Sequence, residues 1–587
     1  MNLTQLTALD LGGNNLEGGI PSSLFELVNL QDLSVQGNNL TGIVELLMLS
    51  KLKNLIWLQL SGNRLSLLSY TRTNATLPTF KFLALESCNL TEFPDFLQNQ
   101  DELEVLSLSD NKIHGPIPQW MWNISKETLR AQELSRNFLT GFDQRPVVLP
   151  WSRLYSLKLD SNMLQGSLPS PPPSTLAYSV SGNKLTGEIP PLICNMTSLM
   201  LLDLSSNNLS GRIPQCLTNF SRSLLVLDLG NNSLDGPIPE TCTVSDNLNV
   251  IDLGDNQFQG QIPRSLASCT MLENLVLGNN QINDIFPFWL GALPQPQVLI
   301  LRSNRFHGAI GSWHTNFRFP KLHIIDLSYN EFTGNLPSEF FQNLDAMRIL
   351  DGDQLGYKKA NVVQLPIENL TQNRSRYDAH IKMMIKGMLR EYENIPYNLM
   401  NIDLSSNKFD GGIPKSIGGL VGLYSLNLSN NALAGPIPTS LANLTQLEAL
   451  DLSQNKLLGE IPQQLTQLTF LAVFSVSHYH LTGPIPQGKQ FNTFSNSSFD
   501  GNPGLCGSPL SRVCGSSKGW SLTPPPSTFG NGSPSDFDWK IVLMGYGSGI
   551  VMGVSIGYCL TVWKHEWFVK TFGRQQRKLR KKEQKGK

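Results

Sequence analysis

Seven of the eight histidines, His114, His307, His314, His323, His380, His478 and His480, are scattered along the chain ahead of the C-terminal tail, none within an HExxH segment or beside paired carboxylates. Metal-assisted hydrolysis and general acid–base chemistry both need such groups to converge at fixed spacing. That convergence is missing, so the sequence argues against an enzyme and implies no cofactor. The carboxylates are regular instead. Asp203, Asp228, Asp252, Asp326, Asp403 and Asp451 each stand between two aliphatic residues, a column to which a basic peptide would be drawn. The plainer reading of that column is a consensus position of a repeat. Ligand contacts are better sought where concave positions depart from consensus, at Trp57, Gln59, Glu133, Tyr155, Lys158, Arg302 and Tyr329, because aromatic and Arg side chains anchor interfaces out of proportion to their number.

What would position these residues is a segment of the form LxxLxLxxNxLxGxIP that returns about every 24 residues, as in Leu199–Pro214 and Leu248–Pro263. Aligned on its Asn, it occurs at 14, 38, 63, 88, 111, 137, 162, 183, 207, 232, 256, 280, 304 and 330, then at 407, 431, 455 and 479. Cys88 and Tyr479 replace the Asn in their units. A fixed period of this length means a solenoid, in which no unit buries its own apolar face and stacking makes the core. The expected fold is an α/β leucine-rich-repeat solenoid of about 18 repeats, with one strand per coil building a parallel sheet on the concave face. The LxL alternation points its leucines inward and the residues between them outward. The Asn turns inward to satisfy buried backbone groups. The trailing LxGxIP resembles the plant-type extracellular repeat, in which Gly permits a bend and Ile-Pro starts the convex side. Leucines, asparagines and glycines are thus scaffold.

The formal charge of −1 conceals an asymmetry, since residues 564–587 carry ten Lys/Arg against two Glu. The repeat surface has no basic field, which argues against a nucleic-acid binder. N-x-S/T sequons, among them Asn74, Asn123, Asn195, Asn219, Asn369, Asn443 and Asn496, lie before residue 541 and none after it. Their density supports a secreted, glycosylated ectodomain. A glycan on the sequon at Asn427, between strand leucines, would obstruct the concave face. The eight cysteines fit the same compartment. Cys506 and Cys514, just beyond the last repeat, are expected to bond and pin a C-terminal cap. Cys194 and Cys216 are in adjacent units and positioned to bridge, while Cys242 and Cys269 either pair or remain small core residues.

Residues 541–563 form an uncharged apolar run of 23. A helix of that length spans about 34 Å, enough for a hydrocarbon core of about 30 Å. Asp536 and Asp538 precede it and the basic tail follows, so the positive-inside rule puts the C-terminus in the cytoplasm and the repeats outside, a single-pass type I protein of the plasma membrane. Gly545, Gly549, Gly553 and Gly557 recur every fourth residue and share one helix face, a ridge on which a second helix can approach closely. The 24-residue tail has no catalytic-loop motif and no room for a kinase fold.

Between the Asn positions 330 and 407 the repeat is interrupted by about 53 extra residues, more charged and without LxxLxL. The organisation read from the sequence is repeats 1–14 over 1–340, an island over 341–398, repeats 15–18 over 399–491, a Cys-paired cap over 492–515, a linker over 516–540, the membrane helix over 541–563 and a basic tail over 564–587. This order resembles the plant leucine-rich-repeat receptor-like proteins, and more narrowly the group containing the tomato Cf and Ve resistance proteins. The segment KGMLREY supplies a K-x5-Y motif with Lys386 and Tyr392, Tyr377 completes Y-x8-KG with Lys386 and Gly387, and FDWKIVLMGYGSGIVMGVSIGYC matches at the membrane. The match departs in three places: Met1 opens inside a repeat without signal peptide or Cys-containing cap, which reads as an N-terminal truncation; residues 515–540 are less acidic than the family's; and Tyr479 leaves a turn less satisfied.

The resemblance implies a kinase-less cell-surface immune receptor. Its ectodomain would sense an extracellular protein, peptide or glycan, its glycine ridge would hold an adaptor receptor-like kinase, and a second co-receptor kinase would be recruited near the last repeats and the island. The alternatives are a developmental receptor subunit for an endogenous peptide, a non-functional truncated paralogue, and a soluble inhibitor of polygalacturonase-inhibitor type, against which the membrane run and the island count.

Overall fold

The computed structural model describes residues 5–68, 77–144, 148–218, 223–240, 247–310, 318–349, 381–392, 396, 399–478 and 480–514. The chain divides into two units, Met1–Gly515 and Ser516–Lys587, the second lying outside the described residues. The expected membrane run, its glycine ridge and the basic tail therefore lie outside them too. Among the described residues no helix is long and apolar enough to cross a membrane.

Each coil of the first unit opens with a three-residue strand. Eighteen such strands, from Ala8–Asp10 to Val473–Ser475, form one parallel sheet, each pairing with its neighbour in the next coil. Equivalent residues stand side by side, as in Leu202↔Leu227 and Leu227↔Ile251. The middle residue points inward, and Leu58, Leu106, Leu202 and Leu426 are fully buried. The two-residue period of a strand dictates this alternation. On the convex side Pro190, Pro263, Pro414, Pro438 and Pro462 each precede a five-residue 3-10 helix, their fixed φ presetting the entry.

Between sheet and convex side runs the asparagine ladder. Asn256 Nδ2 donates to the carbonyls of Leu229 in the preceding coil (2.9 Å) and of Leu253 (3.3 Å) and Gly254 (3.0 Å) in its own turn. Its Oδ1 accepts the Leu234 N–H at 3.0 Å. Three carbonyls and one amide that would otherwise be buried unpaired are satisfied by a single side chain. At Cys88 the sulfur reaches only the Glu86 carbonyl, at 3.7 Å, and burial pushes the thiol pKa up to about 12.

The island leaves the array intact. Ile324–Asp326 pairs directly with Asn401–Asp403, Ile324 beside Asn401 and Asp326 beside Asp403. Asn407 Nδ2 donates to Leu327 O at 2.9 Å across the insertion. Phe306, Phe332 and Phe409 stack at successive centroid distances of 6.0 Å. At the other end the ladder runs one rung further than the repeat motif indicated. Asn502 Nδ2 donates to Val476 O (2.8 Å) and Phe499 O (2.9 Å), and its Oδ1 accepts Leu481 N–H (3.2 Å). Gly504–Cys506 then pairs in parallel with His480–Pro484, Phe474 packs against Phe491, Phe494 and Phe499, and Cys506 is bonded to Cys514. Tyr479 lies outside the described residues.

Candidate functional site

The column of aspartates is turned onto its own chain. Asp203 Oδ1 accepts from the Ser205 N–H and hydroxyl (3.1 and 2.7 Å), and Asp326 Oδ1 accepts from those of Ser328 (3.0 and 2.6 Å). Asp252 Oδ1 accepts the Gly254 N–H at 2.9 Å. The fit is close there, a Cβ on Gly254 standing 3.2 Å from Asp252 Oδ1. Burial raises the pKa of Asp203 and Asp326, and it brings Asp252 and Asp403 up to about 7, the charge of Asp326 adding to the effect at Asp403. These carboxyls close the strand-exit turns, and several are nearly inaccessible.

The residues singled out on the concave face divide into two places. Trp57 stacks on Phe82 at 3.9 Å and 7°, and with Tyr155 it flanks a buried concave cluster of Phe82, Ala84, Val105 and Ala131. Burial pushes the Tyr155 phenol up to about 12. Glu133 and Lys158 are neighbours here but are spent on each other, paired at 3.3 Å. Gln59 is 7% exposed and offers little to a partner. Arg302 and Tyr329 are six or more strands further along and lie beyond their strands, which end at Ile300 and Asp326. Tyr329, exposed and left-handed at φ 54°, occupies the turn position just before a ladder Asn. Both fall in the turns just past those strands, where Arg302 lines the groove described below.

The second place is built by the island. Ile381–Ile385 and Met388–Tyr392 form an antiparallel hairpin whose two-residue turn is Lys386-Gly387. Both turn residues have positive φ, 54° and 72°, the mirror-image turn that matches strand twist. The hairpin lies on the concave face, with Ile381, Met383 and Ile385 buried among Val298, Ile300 and Ile324. Its turn reaches the sixteenth and seventeenth strands. There Lys386 Nζ donates to Glu448 Oε2 at 2.5 Å and sits 5.5 Å from the Tyr424 ring, while the Tyr424 hydroxyl donates to the same Oε2 at 2.7 Å. The Glu448 hydrogen bond raises the Lys386 pKa. Lys386, the first residue of the K-x5-Y motif, is thus tied to the coils of its own chain. Tyr392 packs against the hairpin's buried cluster, and Tyr377 lies outside the described residues.

On the side facing the earlier coils the hairpin walls a groove of 480 Å³ that runs from Ser161 to Arg302 along the turns. Lys382, Leu389 and Glu391 form one wall, and Asp228, Asp252 and Asp255 stand opposite. Among the described residues no cluster of His, Cys, Asp or Glu could hold a metal. Cys194 is bonded to Cys216 across adjacent coils, Cys269 is disulfide-bonded, and Cys242 lies outside the described residues. Asn123, Asn195, Asn443 and Asn496 are exposed, the first three each ending a convex 3-10 helix. Asn74, Asn219 and Asn369 lie outside the described residues.

Residues 397–457 match the family model for the leucine rich repeat, and residues 5–27, 102–124, 198–220, 223–244, 247–269 and 321–343 match a second model for it. The chain is 41% identical to Receptor like protein 28 of Arabidopsis thaliana over 575 residues, 97% of this chain and 71% of that protein. The chain belongs to the plant leucine-rich-repeat receptor-like proteins. Receptor-like protein 7 of the same organism is 50% identical over 588 residues, 98% of this chain but 59% of that relative, so the chain spans little more than half its length. Among solved structures, the ectodomain of the Arabidopsis receptor kinase HAESA in complex with an IDA peptide hormone superposes with TM-score 0.56 at 29% identity, covering 86% of this chain and 83% of that one. These relatives are receptor-like proteins and the ectodomain of a receptor.

Proposed function

We propose that this receptor-like protein is a kinase-less surface receptor of plant immunity, sensing an extracellular ligand on its concave face and signalling through kinases held in trans. The observation that carries the reading is the island hairpin, folded onto the parallel sheet so that a polar groove opens between the two. In HAESA the same kind of solenoid holds a peptide hormone, which supports a peptide as ligand and keeps open a developmental role for an endogenous one. The uncharged run 541–563 and the basic tail support a type I plasma-membrane anchor, and the Gly545–Gly557 ridge is the surface for an adaptor kinase. Trp57 and Tyr155 mark a second ligand contact area, nearer the first coils.

The test is co-purification from plant membranes of the full chain carrying a secretory leader. Gly549→Leu with Gly553→Leu keeps the hydrophobic length and places bulk on the ridge. The double variant should reach the surface normally and lose its associated receptor-like kinase. Undiminished association in that variant would remove the adaptor from the scheme.

A further inference from the structure

Trp57 has one indole face free for a ligand. The other lies on the Phe82 ring, at 3.9 Å and 7°, which leaves the side chain half-buried. Phe82 is in the fourth strand, so the free face looks the opposite way along the solenoid axis, over the second strand. There the register sets Asp32 directly beside Trp57, and Ala8 directly beside Asp32. Both of these side chains are exposed. Neighbouring strands are about 4.8 Å apart, so Ala8 is about 10 Å from Trp57. A carboxylate rises less far from a sheet than an indole does. The result is a slot with Asp32 as its floor and Trp57 as its wall, open toward Ala8, with the exposed Ile56 next to the indole.

Charge marks this slot off from the coils that follow. There the concave acids are neutralised within the chain, Glu104 by Arg130 at 3.5 Å and Glu133 by Lys158 at 3.3 Å. The strands Ala8–Asp10, Asp32–Ser34 and Trp57–Gln59, and the residue ahead of each, contain no Lys or Arg. Lys81, ahead of the fourth strand, is two strands away from Asp32. Among the described residues no ion pair or hydrogen bond engages the Asp32 carboxylate. Asp10, whose Oδ1 holds the Gly12 N–H at 2.9 Å, adds a second negative charge on the far side of the slot. An indole face beside an unneutralised carboxylate suits a guanidinium, whose flat π surface stacks on the ring while its N–H fork meets the carboxylate. A neutral sugar ring would use the stack and leave the charge uncompensated.

We propose that Trp57 and Asp32 together bind an arginine side chain of the extracellular ligand, the guanidinium lying on the free indole face above the Asp32 carboxylate. This deepens the contact area assigned above to the first coils. It rests on the receptor reading for the biological meaning of binding, though not for the binding itself.

The probe is a phage-displayed library of random ten-residue peptides, selected on the full chain carrying a secretory leader and purified in detergent. Enriched peptides that weaken on Trp57→Leu should contain Arg. Replacing that Arg by citrulline, which has the same shape and no charge, should cost about tenfold or more in affinity, and replacing it by Lys about threefold or more. Asp32→Asn should weaken the same peptides about fivefold or more. Asp32 is exposed, so this variant leaves the coil intact and carries the test alone should Trp57→Leu disturb Phe82. Citrulline peptides that bind as well as their arginine parents, or an absence of peptides sensitive to Asp32→Asn, overturn the proposal. So does a neutral oligosaccharide captured by the chain and lost on Trp57→Leu, which would make the slot a sugar site. Kinase co-purification does not pass through Asp32, so its failure in a chain that still binds the arginine peptides would defeat the receptor reading alone.

Discussion

Replacing Lys386 with Ala should loosen the island from the solenoid without unfolding either. The side chain makes one charge-assisted hydrogen bond, to Glu448 at 2.5 Å, and stands 5.5 Å from the Tyr424 ring. A hydrogen bond to a charged group contributes about 1.5–3 kcal/mol, and the lower half of that range applies because both side chains are about a quarter exposed. The cation–π contact adds about 0.5 kcal/mol at such a site. Together these make about 2–2.5 kcal/mol of hairpin docking, a factor of roughly 30 to 70 in the opening equilibrium. Burial of Ile381, Met383 and Ile385 persists in the variant, each such side chain stabilising by about 1.5–3 kcal/mol, so the hairpin stays docked most of the time. Hydrogen exchange of the Ile381–Tyr392 amides reads the opening directly. They should exchange roughly 30 to 70 times faster in Lys386→Ala, and the amides of the early strands should not change. Glu448→Ala should match it, and the double variant should be little worse than either single one. Unchanged exchange, or single effects that simply add, would refute the clamp and return Lys386 to the role of a surface contact.

The buried carboxyls set a direction for pH dependence. Asp203, Asp252, Asp326 and Asp403 all hold protons more tightly when folded, Asp252 and Asp403 up to about 7. Between the unfolded carboxylate range near pH 4 and neutrality the native chain thus binds more protons than the unfolded one, so stability falls as pH rises. The melting temperature of the secreted repeat region should be higher at pH 5 than at pH 8, by a margin that shrinks in Asp403→Asn, and the opposite trend would contradict the assignment. Glycosylation should also discriminate between sequons. Asn427 Nδ2 donates to Asp403 Oδ2 at 3.1 Å and its Oδ1 accepts from the Ser429 N–H and hydroxyl, so glycopeptide mass spectrometry should find Asn427 bare and the exposed Asn123, Asn195 and Asn443 occupied; a glycan on Asn427 would count against the packing described.

The repeat motif was enough to read the strands, their inward residues and the ladder, because each is repeated in every coil and enforced by the same buried backbone groups. Even the insertion point was legible, as the place where the period fails. Two things were not. Asn502 completes a rung but is followed by Pro-Gly-Leu-Cys rather than LxGxIP, so no repeat announces it. The fate of Lys386 depends on Glu448, 62 residues away, and no local pattern carries that distance. The same holds for the groove, whose walls come from the hairpin and from turns far earlier in the chain, from Ser161 to Arg302. Arg302 and Tyr329, concave positions by the motif, fall in the turns just past their strands, and Arg302 lines the groove there. The regular aspartates advertised a binding column, yet their partners are the amides two residues on, a contact that the recurring D-x-S and D-x-G spacing already contained.

Because Ile324–Asp326 and Asn401–Asp403 are direct neighbours in the sheet, the island hangs from the spring without being one of its turns. Elastic strain passing along the coils can cross that point through backbone hydrogen bonds and the Phe306–Phe332–Phe409 stack, so continuity of the array does not depend on the hairpin. Such an attachment lets the inserted segment be lengthened, shortened or exchanged wholesale during evolution while the load-carrying array is left as it was. New recognition can then be tried in one short stretch of gene, with the scaffold inherited unaltered.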